Sequence, residues 1–153
     1  MILFLDFDGV LHPLFTRPEL SPEESRPFCY LPRFAAVLRD YPHVEVVISS
    51  TWRLKRDLEQ LREPFPHDLR LRVIGATLHL FDDERFGARQ REALHWLVLH
   101  RPGSPWIALD DLTTCWPEIG RLVWCDDGFR EREEAELRRL LDELLAGPMA
   151  QQE

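Results

Sequence analysis

Asp6 and Asp8 stand one residue apart at the end of an apolar run, Ile2 to Leu5, and the pair Asp110-Asp111 closes another, Trp106 to Leu109. Carboxylates held that close repel one another unless a cation or a shared proton compensates. A hard divalent cation is the natural partner, and magnesium takes one or two carboxylates together with waters and phosphate oxygens. Gly9 follows the first pair and would let the backbone turn sharply there and approach a substrate closely. A further apolar run, Val46 to Ile48, ends in hydroxyls, Ser49, Ser50 and Thr51. One buried run ending in acids can arise by chance; two, with a hydroxyl-ended run between them, are far harder to obtain by accident.

Groups of this kind need a sheet to aim them. Five short apolar segments, Ile2 to Leu5, Val44 to Ile48, Leu71 to Ile74, Trp106 to Leu109 and Leu122 to Cys125, alternate with helical patterns. That alternation predicts an α/β fold with a mostly parallel five-stranded sheet and crossover helices. The segments are nearly continuous in apolar residues, as in strands covered on both faces, so the expected architecture is a Rossmann-like three-layer sandwich. In such sheets ligands bind beyond the carboxyl ends of the strands, where these acids and hydroxyls fall. Helices are expected over Pro32 to Asp40 (Phe34, Val37, Leu38 and Tyr41 on one face), Leu54 to Glu63 (Leu54, Leu58, Leu61), Ala88 to His100 (Leu94, Leu97, Val98) and Glu131 to Ala146 (Leu137, Leu140, Leu141, Leu144, Leu145). Residues 1–147 read as one domain, and Gly147-Pro148 leaves 148–153 as a frayed tail. The long irregular stretch from His12 to Cys29 is rich in Pro and charge, and its Ser21-Pro22-Glu23-Glu24 has a capping-box pattern.

The segments Asp6-Phe7-Asp8-Gly9-Val10, Val46-Val47-Ile48-Ser49 and Leu109-Asp110-Asp111 resemble, in that order, the first, second and fourth motifs of the haloacid dehalogenase superfamily of phosphohydrolases. The resemblance implies that Asp6 attacks phosphorus to form an aspartyl-phosphate. It implies that Asp8 protonates the leaving oxygen, later activates water, and offers its backbone carbonyl to the metal. Ser49 would bind the transferring phosphoryl group, with Gly9 and Ser50 beside it, although Ser50 and Thr51 also suit helix N-capping. Asp6, Asp8, Asp110 and Asp111 would hold Mg2+. Superfamily dehalogenases lack the second Asp of the first motif, so Asp8 favours phosphoryl transfer over dehalogenation.

The third motif of that superfamily is a Lys or Arg shortly before the fourth. Lys55 is the only lysine and falls too early, which leaves Arg89 or Arg91. A guanidinium fork matches phosphate oxygens in pairs, so an arginine can serve. Arg89 is favoured because Arg89-Gln90-Arg91-Glu92 with Trp96-Leu97 resembles an RxxE…WL pattern of short members; Arg91 is the alternative contact to substrate. Together with Ser49-Ser50-Thr51-Trp52-Arg53, that pattern resembles a capless subgroup that includes domains of RNA-repair proteins. The likeness runs from Ile2 to about Phe129, and the interval between Asp8 and Ser49 has no room for a large cap.

Composition narrows the setting. The 153 residues, 44% of them apolar and 30% charged, include no run of the roughly 18–20 apolar residues that spans a membrane. The start Met1 to Leu5 lacks a basic leader and reads as a strand rather than a signal peptide. Cys29, Cys115 and Cys125 form no CxxC spacing, which suits a reducing cytoplasm. A net charge of -8 argues against a general nucleic-acid-binding surface and leaves a phosphorylated substrate, a small molecule or a nucleic-acid end, as the expected partner. Two other readings compete: a receiver-like signalling domain, disfavoured because Leu71-Arg72-Val73-Ile74-Gly75 ends without an acid, and a catalytically silent binding module of the same fold. His12 is expected to be a plain loop residue, Asp82-Asp83-Glu84 a solvated loop, Asp126-Asp127-Gly128 a turn, and most of Trp52, Trp96, Trp116 and Trp124 core.

Overall fold

A computed structural model describes residues 1–147; the expected tail, 148–153, lies outside the described residues. The strands are β1 (Ile2–Leu5), β2 (Glu45–Ile48), β3 (Val73–Ala76), β4 (Trp106–Asp110) and β5 (Leu122–Trp124). They form one sheet in the order β3-β2-β1-β4-β5 in which every pairing is parallel. β1 is central, with β2 on one side and β4 on the other. The order reverses at β1, so a crevice opens between the carboxyl ends of β1 and β4.

Alternation along β1 shows how the layers are built. Leu3 and Leu5 face the larger core, of aliphatic residues and phenylalanines, shared with α1 (Leu31–Asp40), α2 (Leu58–Arg62) and α4 (Glu131–Ala146). Ile2 and Phe4 face a smaller core with α3 (Ala88–His100), dominated by Trp96, Trp106 and Trp116. Phe4 meets all three indoles at centroid separations of 6.1–6.2 Å. Helices thus cover both faces, as the three-layer expectation required, and the described residues contain no large cap.

Four local departures have identifiable causes. The helix expected over Leu54 to Glu63 is split: a 3-10 turn spans Thr51–Leu54, and α2 starts afresh where Asp57 and Gln60 form a reciprocal capping box. β3 starts late because His67–Arg72 is a 3-10 helix whose Arg72 donates to the carbonyls of Leu38, Tyr41 and Val44. Leu71 is consequently exposed, and β3 runs on to Ala76. On α4 Leu137, Leu140 and Leu141 are buried as expected, whereas Leu145 is exposed. The fourth departure concerns α3: Leu97 is buried, but Leu94 and Val98 face solvent, and the buried side is made by Ala88, Arg89, Gln90, Glu92, Ala93 and Trp96. Apolar spacing pointed to the wrong face because this helix turns charged groups inward.

Candidate active site

The sheet's hydrogen bonding continues past its strand ends and so sets the site residues side by side. Asp6 N donates to Leu109 O, Ser49 N to Leu5 O, and Thr77 N to Ile48 O, each at 3.0 Å. Asp6, Asp110 and Asp111 each present a carboxylate oxygen within 4.8 Å of the others. Asp6 is 3% exposed and Asp110 fully buried. Asp6 Oδ1 accepts from the N–H of Phe7 at 2.9 Å, which turns Oδ2 toward Arg89.

Arg89 is the counter-charge. It is 4% exposed, and its Nη1 lies 2.7 Å from Asp110 Oδ2 and 3.3 Å from Asp6 Oδ2. Its Nε and Nη2 fork onto Asp83 at 3.2 and 2.9 Å. Burial alone would depress Arg89, but Asp110, Asp6 and Asp83 more than reverse that, so the guanidinium keeps its charge. Asp110 is held on every side: Oδ1 accepts from Leu112 N at 2.9 Å, and Oδ2 accepts from Trp116 Nε1 at 2.9 Å as well as from Arg89.

One cation does not balance three acids. Burial, reinforced by Asp110, pushes Asp6 well above the usual carboxylate range, and burial also lifts Asp111, to about 6. Without a further cation the Asp6–Asp111 pair therefore gives up its protons less readily than exposed acids do. Three oxygen donors with that excess of negative charge fit a hard divalent ion such as Mg2+. Gly9 serves this arrangement: its φ is +75°, and a Cβ there would sit 2.5 Å from Asp111 Oδ2. Its lack of a side chain admits the Asp111 carboxylate.

Asp8, expected to offer the metal its backbone carbonyl, keeps its side chain apart from the other acids. Its carboxylate lies outside the cluster of Asp6, Asp110 and Asp111. Oδ2 accepts from Trp52 Nε1 at 3.0 Å and Oδ1 meets His12 Nε2 at 2.7 Å. His12 Nδ1 accepts from Phe28 N at 3.2 Å, so the neutral ring carries its proton on Nε2 and donates to Asp8. His12, expected to be a plain loop residue, is thus one of two donors that fix Asp8. Its signal was only its place four residues after Asp8.

Ser49 Oγ and Thr77 Oγ1 are buried without a hydrogen-bond partner among the described residues. They follow paired strand ends, since Ile48 is in register with Ala76. An unpaired buried hydroxyl costs about 1–3 kcal/mol, which marks this edge as a place for a polar ligand. Thr77 escaped notice because β3 was expected to stop earlier. Ser50 does not share the role: its Oγ accepts from Trp52 N at 3.2 Å and caps the 3-10 turn. Arg91 is exposed and stacked over the Phe81 ring at 5.7 Å, so Arg89 is the one of the two that reaches the carboxylates.

Arg53 and Glu92 were visible in the sequence only as members of a pattern. Arg53 donates to the carbonyls of Ser49, Ser50 and Thr77 at 2.9–3.0 Å, and its Nη2 lies 3.2 Å from Glu92 Oε1. Both side chains are almost fully buried, at 3% and 0% exposure. Glu92 Oε2 also accepts from Leu80 N at 2.6 Å. One turn of α3 therefore supplies the site's cation through Arg89 and pins the Ser49 loop through Glu92. Farther along, Trp96 packs its indole Nε1 3.3 Å from where a Gly75 Cβ would be.

Asp82-Asp83-Glu84 is not merely solvated, since Asp83 forks Arg89. Asp126-Asp127-Gly128 is a turn, with Asp127 at φ +70° and accepting from Leu14 N at 2.8 Å. Trp96 and Trp116 are core, Trp116 with a polar task, whereas Trp124 is exposed. No helix among the described residues is long and apolar enough to cross a membrane. Neither a curated protein nor a solved structure matches the chain. A family comparison does match, and over residues 2–142 the chain belongs to the family described as the HAD domain in Swiss Army Knife RNA repair proteins.

Proposed function

We propose that the protein is a magnesium-dependent phosphomonoester hydrolase that works through an aspartyl-phosphate on Asp6. The observation that carries this reading is the buried triad Asp6, Asp110 and Asp111, with Arg89 Nη1 reaching Asp6 and Asp110 at 3.3 and 2.7 Å. Asp6, Asp111 and Asp110 would hold the ion together with the Asp8 backbone carbonyl, Asp111 being the freest of the carboxylates. Bound there, Mg2+ would neutralise charge on the phosphoryl oxygens and favour the ionised form of Asp6 and Asp111.

Asp6 Oδ2 attacks phosphorus as the ester P–O bond breaks, and Asp8, which enters the step as the carboxylic acid, delivers its proton to the departing oxygen and is left as the carboxylate. Asp8 then takes a proton from water, which attacks the phosphorus and releases inorganic phosphate and Asp6. Arg89 stabilises the charge that accumulates on the phosphoryl oxygens, and the free hydroxyls of Ser49 and Thr77 hydrogen-bond them. His12 and Trp52 keep Asp8 clear of the metal ligands, where its work is to move protons.

The substrate is a phosphorylated small molecule or a nucleic-acid end. The family's description, which places such domains in RNA repair proteins, supports the latter. The free thiols of Cys29, Cys115 and Cys125 suit action in a reducing cytoplasm.

Purified protein with Mg2+ should hydrolyse phosphomonoesters, EDTA should abolish turnover, and Asp6→Asn should lower kcat by at least about a thousandfold. Full activity in Asp6→Asn would remove the covalent route. If the wild type turns over no phosphomonoester yet binds one, the domain is a silent binding module instead.

A further inference from the structure

The irregular segment between His12 and Phe28 is fastened at several points. Leu14 N and Arg17 both donate to Asp127, Tyr30 Oη donates to Glu24 at 3.0 Å, and Arg130 Nη2 lies 3.3 Å from Glu24. Between this strap and Trp52 lies an open pocket of about 280 Å3, walled by His12, Leu14, Phe15, Arg26 and Trp52. Two of these walls, His12 and Trp52, are the donors that hold the Asp8 carboxylate. The pocket therefore lies on the side of the site where the proton is delivered, away from the carboxylate triad.

Its chemistry is specific. Phe15 is 69% exposed and Leu14 46%, an unusual cost for apolar side chains beside a site. Trp52 is braced by Phe7 and Phe28, each edge-on at 5.3 Å, and Arg56 lies 4.0 Å over its ring. Arg26 is exposed and brings positive charge to the rim. Pockets for drug-sized ligands begin at about 300 Å3, so this one takes roughly a single ring system. Glu24 also lines the pocket but is paired with Tyr30 and Arg130, so apolar walls with Arg26 at the edge suit a planar aromatic group carried by an anion.

We propose that this pocket binds the leaving group of the substrate and selects phosphomonoesters whose alcohol carries a planar aromatic system. The proposal rests on the hydrolase reading, because it is Asp8 as proton donor that assigns the leaving group to this side. A nucleobase and an aromatic hydrocarbon present the same face to Trp52 and Phe15, and the test separates them.

Three primary alkyl esters of similar intrinsic reactivity serve as probes: a nucleoside monophosphate, naphthylethyl phosphate and glycerol phosphate. The expected result is a kcat/KM for one or both aromatic esters at least about tenfold above that for glycerol phosphate, with Phe15→Ala erasing most of the ratio. Preference for the nucleotide alone identifies a base as the occupant; equal preference identifies aromaticity in general. In parallel, the Trp52 indole N–H resonance, followed in 15N-labelled protein with EDTA present, should shift with the aromatic esters and not with glycerol phosphate. Equal kcat/KM for all three, or a Trp52 signal indifferent to aromaticity, overturns the proposal. Binding that moves Trp52 selectively with no turnover of any ester sinks the hydrolase reading but keeps the pocket's selectivity.

Discussion

α3 and α4 pack on opposite faces of one sheet, yet they bury different chemistry. α4 turns Leu137, Leu140 and Leu141 inward and opens with Glu131, Glu133 and Glu134, which complement its dipole. α3 turns Arg89, Gln90 and Glu92 inward and leaves Leu94 and Val98 to solvent. One helix holds the sheet together; the other carries charge into the crevice between β1 and β4. Apolar periodicity finds the first kind of helix and misplaces the face of the second, because burial of a charge depends on partners distant in sequence.

The strongest way to break this contrast is to remove the charge. Arg89→Met should cost about 3–5 kcal/mol in the metal-free protein, since it leaves Asp6 and Asp110 buried without their cation. Turnover should fall at least about a hundredfold. Mg2+ should recover part of the lost melting temperature, because a bound cation would replace the missing charge. Leu137→Ala is the matched change on α4 and should cost about 2–5 kcal/mol. Its loss should be the same with Mg2+ or EDTA, and the folded fraction should keep its kcat. Equal metal responses in the two variants would end the distinction between the helices.

A subtler change tests whether α3 acts on the Ser49 loop. Glu92→Gln keeps an acceptor for Leu80 N but deprives buried Arg53 of its charge partner, at a cost of about 2 kcal/mol. Because Arg53 holds the Ser49 and Ser50 carbonyls, kcat/KM should also fall, by about tenfold. Stability loss with unchanged kinetics would show that the ion pair only fills the core.

The same contrast explains what the sequence made legible. Strands β1, β2, β4 and β5 follow from apolar runs that end in polar residues, and the extents of α3 and α4 from the Pro and Gly around them, all of which are local signals. The placing of Asp6, Ser49 and Asp110-Asp111 together was legible because each stands at or just past a strand end, whereas Arg89 comes from the first turn of α3. The connections were not: Asp83 reaching Arg89, Trp116 reaching Asp110, Arg53 joining Glu92 to Ser49, and His12 and Trp52 sharing Asp8. Each depends on side chains that meet only after the sheet has formed. Thr77 was hidden for a simpler reason, that Arg72 delays the start of β3 and so moves its end.

The smallest expected effect concerns pH. In the metal-free chain burial and neighbouring acids raise both Asp6 and Asp111, the latter to about 6. An acid whose folded value lies above its unfolded one stabilises the fold in its protonated form. That contribution is complete below the unfolded value and is lost as pH rises through the folded one. Asp111→Asn removes one such acid without changing the size of the side chain. With EDTA present, the variant's melting temperature should therefore gain on the wild type's as pH rises from about 4 to 7. Saturating Mg2+ should reverse the order at neutral pH, since the ion stabilises the carboxylate form and the variant has lost a ligand. Leu137→Ala shifts no proton, so its difference from the wild type should stay flat across that range. A flat profile for Asp111→Asn as well would mean that the carboxylates at the end of β4 are not strained by one another, and the reason for expecting a cation there would go with it.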